Sequence, residues 1–583
     1  RRAATGLREF SREAANQLPR LARLEQIHPR TRISLGLLLE ERRRRAGDGE
    51  VFFLFGDRAH TIRDMNERID NVVAGLISIG VRQGEAVGVL MSARPTALTL
   101  TAALNRLGAV AVMLRPDGDL PREVRLGEVG RIIADPERAA SAVSSGSGAR
   151  VYVLGGGGGA RDLGLPDVVD MERIDPGLVE LPAWYEPNPG RGSDTAFVLF
   201  TGEGEGTRAN RISNRRWALS AFGTASAAAL SSEDTLYSVT PLYHASGLMT
   251  GIGGAVAGGA RLAMTASFDP STFWREARRY GVTVASYTWT MLHDLVVAPE
   301  QPGERHHPVR LFIGSGMPTG LWRRVQERFA PARVLEFYAA TEASAILVNV
   351  SGYKEGAMGR PLPGSGEVRL AAYDVQAGAY RLGADGFARR CGAGELGMLL
   401  ARTRPEKRQS STVLRGVFER GDAWVQTGDL FRRDADGDYW RVDSLADVVH
   451  TASGPAFTGP IRSALGTLPA VDLAVAYGLS LDGHQHQITV AAVTLQDAAK
   501  LTPRDLTAVL SSLPYAERPL VVRVVDSIPV TTWYRPLAAP LRADGLPVSS
   551  NARPAWYLDA DSETYKPLTA AARKRLLLPA SSL

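Results

Sequence analysis

Cysteine is almost missing from this chain: Cys391 is the only one in 583 residues. That excludes an internal disulfide framework and a cysteine-built zinc site, and it fits a reducing compartment. Lysine is nearly as scarce, with five among 68 basic residues, at Lys354, Lys407, Lys500, Lys566 and Lys574. Arginine is therefore the default cation, and a lysine missing from any one position carries less weight than it would elsewhere. No uninterrupted apolar run reaches the ~18 residues that a membrane-spanning helix needs. The closest approach, Gly247 to Met264, is glycine-rich, contains Arg261 and reads as buried protein. Bulk charge of one sign is also lacking, since 68 basic residues face 62 acidic ones. Nothing in that balance, nor in the arginine runs at 42–45 and 208–216, whose only nearby aromatic is Trp217, argues for a nucleic-acid partner.

What is present is an ordinary globular composition, 44% hydrophobic and 22% charged, in a chain too long for one core. Apolar runs such as Val51 to Phe55, Ala86 to Met91 and Val110 to Leu114 alternate with helical stretches such as Met65 to Ile79 and Thr96 to Leu107. Buried strands separated by helices define an α/β class with wound subdomains. From about Gly364 to Arg404 shorter, glycine-punctuated strands mark a β-rich subdomain. After Asp429 a polar turn, Arg432 to Asp438, leads to strands at Leu473 to Gly478, Gln487 to Val493 and Leu520 to Val525 with a helix from Pro503, a small α+β C-terminal domain. The expected division is an N-terminal basic segment over 1–30, a large domain over 31–441 and a small one over 442–583. Within 1–30, Phe10, Ala14, Leu18, Leu21 and Leu24 at helical spacing among arginines suit either an amphipathic helix lying on a membrane surface or one packed on the body.

Five short motifs then stand in order. Pro241-Leu242-Tyr243-His244 is followed by Gly314-Ser315-Gly316, by Tyr338-Ala339-Ala340-Thr341-Glu342, by Gly359-Arg360-Pro361 and by Thr427-Gly428-Asp429. Singly, His244 is as readily a satisfied polar residue, Asp429 a turn former and Glu342 a solvated charge. Together, and in this order, they resemble the adenylate-forming acyl-CoA synthetases. Cys391 to Gly397 and the closing segment Ala555 to Thr569 resemble the branch of fatty acid transport proteins and very-long-chain acyl-CoA synthetases. The likeness runs from about Thr31 to Leu577. It implies a large adenylate-forming N-terminal domain and a small C-terminal one, with ATP, magnesium and CoA as cofactors and a fatty acid or acyl-CoA as ligand. It further implies that Tyr338 stacks on adenine beside Gly314, Ser315 and Gly316, that Thr341 touches the α-phosphate and that Glu342 holds Mg. By the same likeness Asp429 grips the ribose and His244 flanks the acyl tunnel. Magnesium's preference for hard oxygen ligands suits the glutamate.

The same resemblance exposes three departures. Where the family's phosphate loop carries small residues and hydroxyls, this chain has Thr201-Gly202-Glu203-Gly204-Glu205-Gly206-Thr207-Arg208. Thr201 and Gly202 fit, and Arg208 can stand in for the family's lysine, but Glu203 and Glu205 would oppose phosphate. A carboxylate ~4 Å from a phosphate charge costs about 4 kcal/mol at an effective dielectric of about 20. Arg535 falls at the position of the C-terminal lysine, and a planar fork is a poor substitute for a compact ammonium where two groups converge on one point. Ser444 follows Asp443 where the family's ribose-contacting arginine belongs, a loss that an arginine-rich composition does not explain.

The expectation is thus an acyl-CoA synthetase-like protein of fatty-acid metabolism, degenerate in ATP-dependent adenylation, that binds a fatty-acyl ligand or scaffolds a protein partner, with no cofactor bound. The small residues Gly247, Gly251, Gly253, Gly254 and Ala255 after His244 suit either an acyl chain threading beside the backbone or close helix packing. The alternative is an active ATP-dependent long-chain fatty-acid–CoA ligase. The expected location is cytoplasmic, peripheral at a membrane if residues 1–30 engage one.

Overall fold

The computed structural model describes residues 23–24, 26–156, 162–202, 204–339, 345–350, 352, 354–362, 365–403, 413–530 and 537–578. They form two compact units, one of residues 1–287, 298–314 and 331–333, the other of residues 288–297, 315–330 and 334–583. The expected boundary at 441/442 lies inside the second unit.

The first unit holds two wound sheets. In one, seven strands run in the order Val169–Asp170, Arg150–Val153, Arg131–Ala134, Ala86–Leu90, Val110–Met113, Thr195–Thr201 and Arg208–Ser213. The first six of these pair in parallel and the last is antiparallel. Leu90, Val112, Ile132, Val198 and Phe200 pack together in its core, each essentially without solvent contact. The other sheet sets Val284–Thr288, Thr235–Ser238, Arg261–Met264, Val51–Phe55 and Arg58–Thr61 side by side. Parallel strands need helical crossovers, and their ends are written in the sequence. Ile62–Ser78 starts at a capping box in which Thr61 Oγ1 accepts from Asp64 N at 3.1 Å and Asp64 returns a carboxylate to Thr61 N at 3.0 Å. Pro95–Leu107 opens with proline, whose missing N–H costs nothing in a first turn, and is buried from Ala97 to Leu107.

The second unit is richer in antiparallel strands. Val368–Asp374, Gly397–Arg402, Ala423–Arg433 and Tyr439–Ser444 pair in succession. A separate five-stranded sheet follows the order Val471–Leu479, Ile488–Leu495, Val521–Val524, Ala555–Asp559 and Thr564–Pro567. Both faces of that sheet are covered. Ala491 and Val493 look toward Ile461, Leu465, Leu506 and Leu510, while Val490 and Ala492 join Leu541, Leu568 and Ala572. That is why Ile488 to Leu495 reads as an almost unbroken apolar run and not as an alternation.

Phe10, Ala14, Leu18 and Leu21 lie outside the described residues; Leu24 is buried against the first unit. Among the described residues no helix is long and apolar enough to cross a membrane.

Candidate functional site

In the first unit, the segment resembling a phosphate loop joins two paired strands, with Thr201 opposite Arg208. The loop closes tightly on itself. Gly202 has φ +78°, and a Cβ there would come 2.3 Å from the Gly206 carbonyl oxygen, so only glycine fits. Thr201 Oγ1 accepts from Asn210 Nδ2 at 3.0 Å. Two arginines that sequence reasoning missed hold the loop's carbonyls: Arg115 Nη1 donates to Gly202 O at 2.9 Å and Arg122 Nη2 to Glu205 O at 2.5 Å. Arg115 is itself fixed by Glu123, Nε to Oε1 at 2.6 Å, in a pair with side chains 5% and 0% exposed. Burial pushes the Glu123 carboxyl up despite Arg115's hydrogen bonds. Glu205 and Arg208 are both exposed, and Glu203 lies outside the described residues. Because solvent screens the Glu205 carboxylate, its repulsion of a phosphate is much smaller than the unscreened figure.

His244, half-buried, accepts from Ser246 N on Nδ1 at 3.1 Å and starts the helical segment Ser246–Ile252. Of the two readings of the glycines after it, close packing matches their surroundings. A Cβ at Gly247 would meet Pro241 O at 2.2 Å, at Gly251 Ser238 Oγ at 2.4 Å, at Gly253 Ala221 Cβ at 2.9 Å and at Gly254 Thr224 Cγ2 at 2.8 Å. These glycines serve close packing of a helix against its neighbours. Gly314 is small for the same reason, its Cβ position lying 2.5 Å from Tyr287 O.

In the second unit, Gly316, with φ +81°, and Met317 turn their amides onto Oε1 of Glu336, which is fully buried; the Met317 contact is 3.2 Å. Glu336, which sequence reasoning missed, thus fixes the turn that follows the exposed Ser315. Two residues beyond it, Tyr338 packs edge-on to Phe431 at 4.9 Å between centroids and donates its hydroxyl to Asp429 Oδ2 at 2.7 Å. Burial, reinforced by that carboxylate, raises the Tyr338 phenol well above its ordinary range. Asp429 Oδ1 is taken by Arg441, from Nε at 3.1 Å and Nη2 at 2.9 Å. Ser444 is the direct cross-strand partner of Asp429. With serine there, the guanidinium that pairs with Asp429 comes from Arg441 on the same strand. Asp443 is engaged elsewhere: 1% exposed, it accepts from Thr458 N at 2.5 Å and Thr458 Oγ1 at 2.9 Å and so anchors the start of Thr458–Gly466. Burial raises its carboxyl above the usual range. Thr341, Glu342 and Arg535 lie outside the described residues.

The two donors on Asp429 are the chemical test of a ribose at this carboxylate. Arg441 occupies Oδ1 with two N–H groups, while Tyr338 takes one of the two acceptor sites of Oδ2 and leaves the other to a hydroxyl.

The fold is that of adenylate-forming enzymes, and the sequence model of the AMP-binding enzyme family matches residues 39–381. The chain belongs to that family. It is 31% identical over 563 residues to the medium/long-chain-fatty-acid–CoA ligase FadD6 of Mycobacterium tuberculosis, covering 92% of this chain and 90% of that one. It is 26% identical over 591 residues to long-chain fatty acid transport protein 2 of Rattus norvegicus, covering 96% and 93%. Among solved structures, ATP-bound MatB from Rhodopseudomonas palustris superposes with a TM-score of 0.69 at 20% identity, covering 87% of this chain and 98% of that one.

Proposed function

We propose that this chain is an acyl-CoA synthetase-like protein of fatty-acid metabolism that has lost efficient ATP-dependent adenylation and acts as a fatty-acyl-binding or scaffolding module. The observation carrying this reading is the engagement of Asp429 by Arg441 and Tyr338, which take most of its acceptor sites at the position that the family resemblance assigns to the ribose. Ser444, Glu203, Glu205 and Arg535 add to it from the sequence. In this reading the working division is 31–441 and 442–583, residues 1–30 supply a membrane-surface contact, and His244 borders the acyl ligand. Removing one preorganised electrostatic contact commonly costs about 10²–10³ in rate, so two such losses suppress turnover by several orders of magnitude. The test is pyrophosphate release with ATP, magnesium, CoA and a panel of fatty acids, alongside calorimetry of ATP binding and native mass spectrometry for copurified lipid. The expected result is no turnover above background with lipid retained. Robust turnover with micromolar ATP affinity overturns the proposal.

A second reading, an active fatty-acid–CoA ligase, is favoured by one observation: similarity to a named ligase across nine-tenths of both chains. Under it, Arg441 releases Asp429 when nucleotide enters, and ATP, magnesium and CoA are the cofactors. The same assay separates the two.

A further inference from the structure

The segment that follows His244 is built differently from Ile62–Ser78 or Pro95–Leu107. Ser246–Ile252 is a π-helix of seven residues, and it runs directly into the α-helix Gly253–Gly258. The change of pairing is visible at its two ends. Leu248 N donates back four residues to His244 O at 3.1 Å, whereas Gly253 N reaches back five, to Leu248 O. Pairing over five residues is rare, and where it occurs it is mostly a single turn, frequently at a functional site.

The neighbours hold this pairing in place. Leu248 O accepts a second bond, from Nε1 of the fully buried Trp217 at 3.2 Å, which fixes the carbonyl on which the five-residue pairing closes. On the C-terminal side Gly253 and Gly254 are seated against Ala221 and Thr224. On the N-terminal side Ser246 N is tied to His244 Nδ1 at 3.1 Å. Between these anchors Leu248 and Ile252 have no solvent contact, while Met249 and Thr250 are half-buried. Against Gly251 lies Ser238, whose Oγ is buried with no hydrogen-bond partner. A buried hydroxyl left unpaired is destabilising.

We propose that Ser246–Ile252 is a register switch, in which five-residue pairing gives way to four-residue pairing when a fatty acid lies along His244. The inference rests on the reading of this region as an acyl-binding site. Shortening the pairing by one residue turns the residues ahead of Gly253 by roughly the 100° that separates neighbours in an α-helix. With the following helix held by Ala221 and Thr224, the turn falls on Leu248 to Ile252 and changes what Met249 and Thr250 face. It also carries helix carbonyls past Ser238 Oγ and offers that hydroxyl an acceptor. A ligand drives such a change only by contacting the two forms differently. The turned Met249 side chain, unbranched and apolar, supplies that difference for an alkyl chain.

The experiment follows hydrogen exchange across residues 246–258 of the full chain, with and without saturating palmitate, beside a palmitate titration. Palmitate is expected to change exchange at 248–253 and to leave 254–258 as they were. Trp217→Phe removes the bond that favours the five-residue form. Without palmitate it should therefore shift exchange at 248–253 in the direction that palmitate does, and it should tighten palmitate binding up to about fivefold. Deleting Thr250 takes out the additional residue, so palmitate should no longer change exchange there, and this second variant carries the test if Trp217→Phe does not fold. Palmitate bound with no change at 248–253 overturns the switch and leaves the acyl-binding reading standing. Weaker binding in Trp217→Phe, or an undiminished exchange response in the deletion, does the same. No saturable binding of palmitate overturns both.

Discussion

In the loop from Gly202 to Arg208 the described charges, Glu205 and Arg208, stand exposed, and only backbone carbonyls are tied down, by Arg115 and Arg122. In the hairpin of Ala423–Arg433 and Tyr439–Ser444 the reverse holds, since the motif carboxylate Asp429 has both oxygens taken by side chains of its own unit. The first region departs from the family pattern in letters while keeping the backbone closure that its glycines permit. The second keeps the letters Thr427-Gly428-Asp429 and gives most of the carboxylate's acceptor sites to internal partners. A retained motif residue therefore comes with partners that its letter does not state, and a changed residue is not the same as an obstruction.

The largest effect is expected where the second unit's charge networks are tightest. His293 Nε2 bonds Asp472 Oδ2 at 2.8 Å, and Arg324 Nη1 reaches Asp472 Oδ1 at 2.6 Å, joining Trp289–Val297 and Thr319–Arg328 to the strand Val471–Leu479. Burial alone would lower the His293 imidazole, but the carboxylates of Asp294 and Asp472 outweigh it and raise it from 6.5 to about 9. A folded-state pKa above the unfolded one stabilises fully below the unfolded pKa and ceases to do so as pH rises through the folded one. Asp472→Asn should therefore cost about 2–3 kcal/mol near pH 6, because it strands two partly buried cations. Its penalty relative to wild type should shrink between pH 6.5 and about 9. Chemical denaturation across that range measures it; a penalty that grows with pH would mean that His293 is neutral in the fold and the network is looser than the comparison holds.

The comparison itself is sharpest when its two regions are probed by ligands that differ only in phosphate. Arg441→Gln frees one oxygen of Asp429 and should strengthen binding of adenosine, which has a ribose and no phosphate. Glu203→Thr with Glu205→Gly should leave adenosine unaffected and strengthen ATP about tenfold, a figure reduced from the unscreened estimate because Glu205 is solvated. Calorimetry of both ligands on both variants decides. If Arg441→Gln weakens adenosine, Arg441 supports the ribose position and does not block it. If the loop variant changes nothing, the loop is not the obstacle.

The fold was legible because burial on both faces leaves continuous apolar runs, as from Ile488 to Leu495; the capping pair Thr61-x-x-Asp64 also stands in plain letters, but periodicity alone began that helix at Met65, three residues late. The motif residues could be located in the same way, but their engagement could not. That Asp429 is met by Arg441 depends on side chains reaching along a twisted hairpin, and nothing in the spacing of 429, 441 and 444 states which cation arrives. Glu336 was hidden for a related reason: a carboxylate inside the strand Arg333–Ala339 becomes meaningful only when the amides of Gly316 and Met317 turn toward it. The glycines after His244 left two readings open because small residues suit an open tunnel and close helix packing equally, and only the neighbours' positions distinguish the two.

The smallest expected effect bears on whether arginine and lysine are interchangeable in a chain so short of lysine. Lys354 Nζ donates to three carboxylates of one turn, Asp434 at 2.7 Å, Asp436 at 2.7 Å and Asp438 at 2.8 Å. Arg360 reaches the same cluster only at its rim, Nε to Asp438 Oδ1 at 3.1 Å. Where three acceptors converge on a point the chain keeps a compact ammonium, and where one acceptor is offered it uses a fork, as the geometry of the two cations requires. Lys354→Arg should leave global stability nearly unchanged, because the site is open to solvent. It should loosen the turn locally, so that the amides of Gly437 and Asp438, which bond back to Asp434 at 3.1 and 2.9 Å, exchange with solvent faster than in the wild type. Unchanged exchange would show that this chain tolerates a fork at a point of convergence. Arg535 could then replace a lysine without consequence, and the case for lost adenylation would rest on the Asp429 hairpin and the loop glutamates alone.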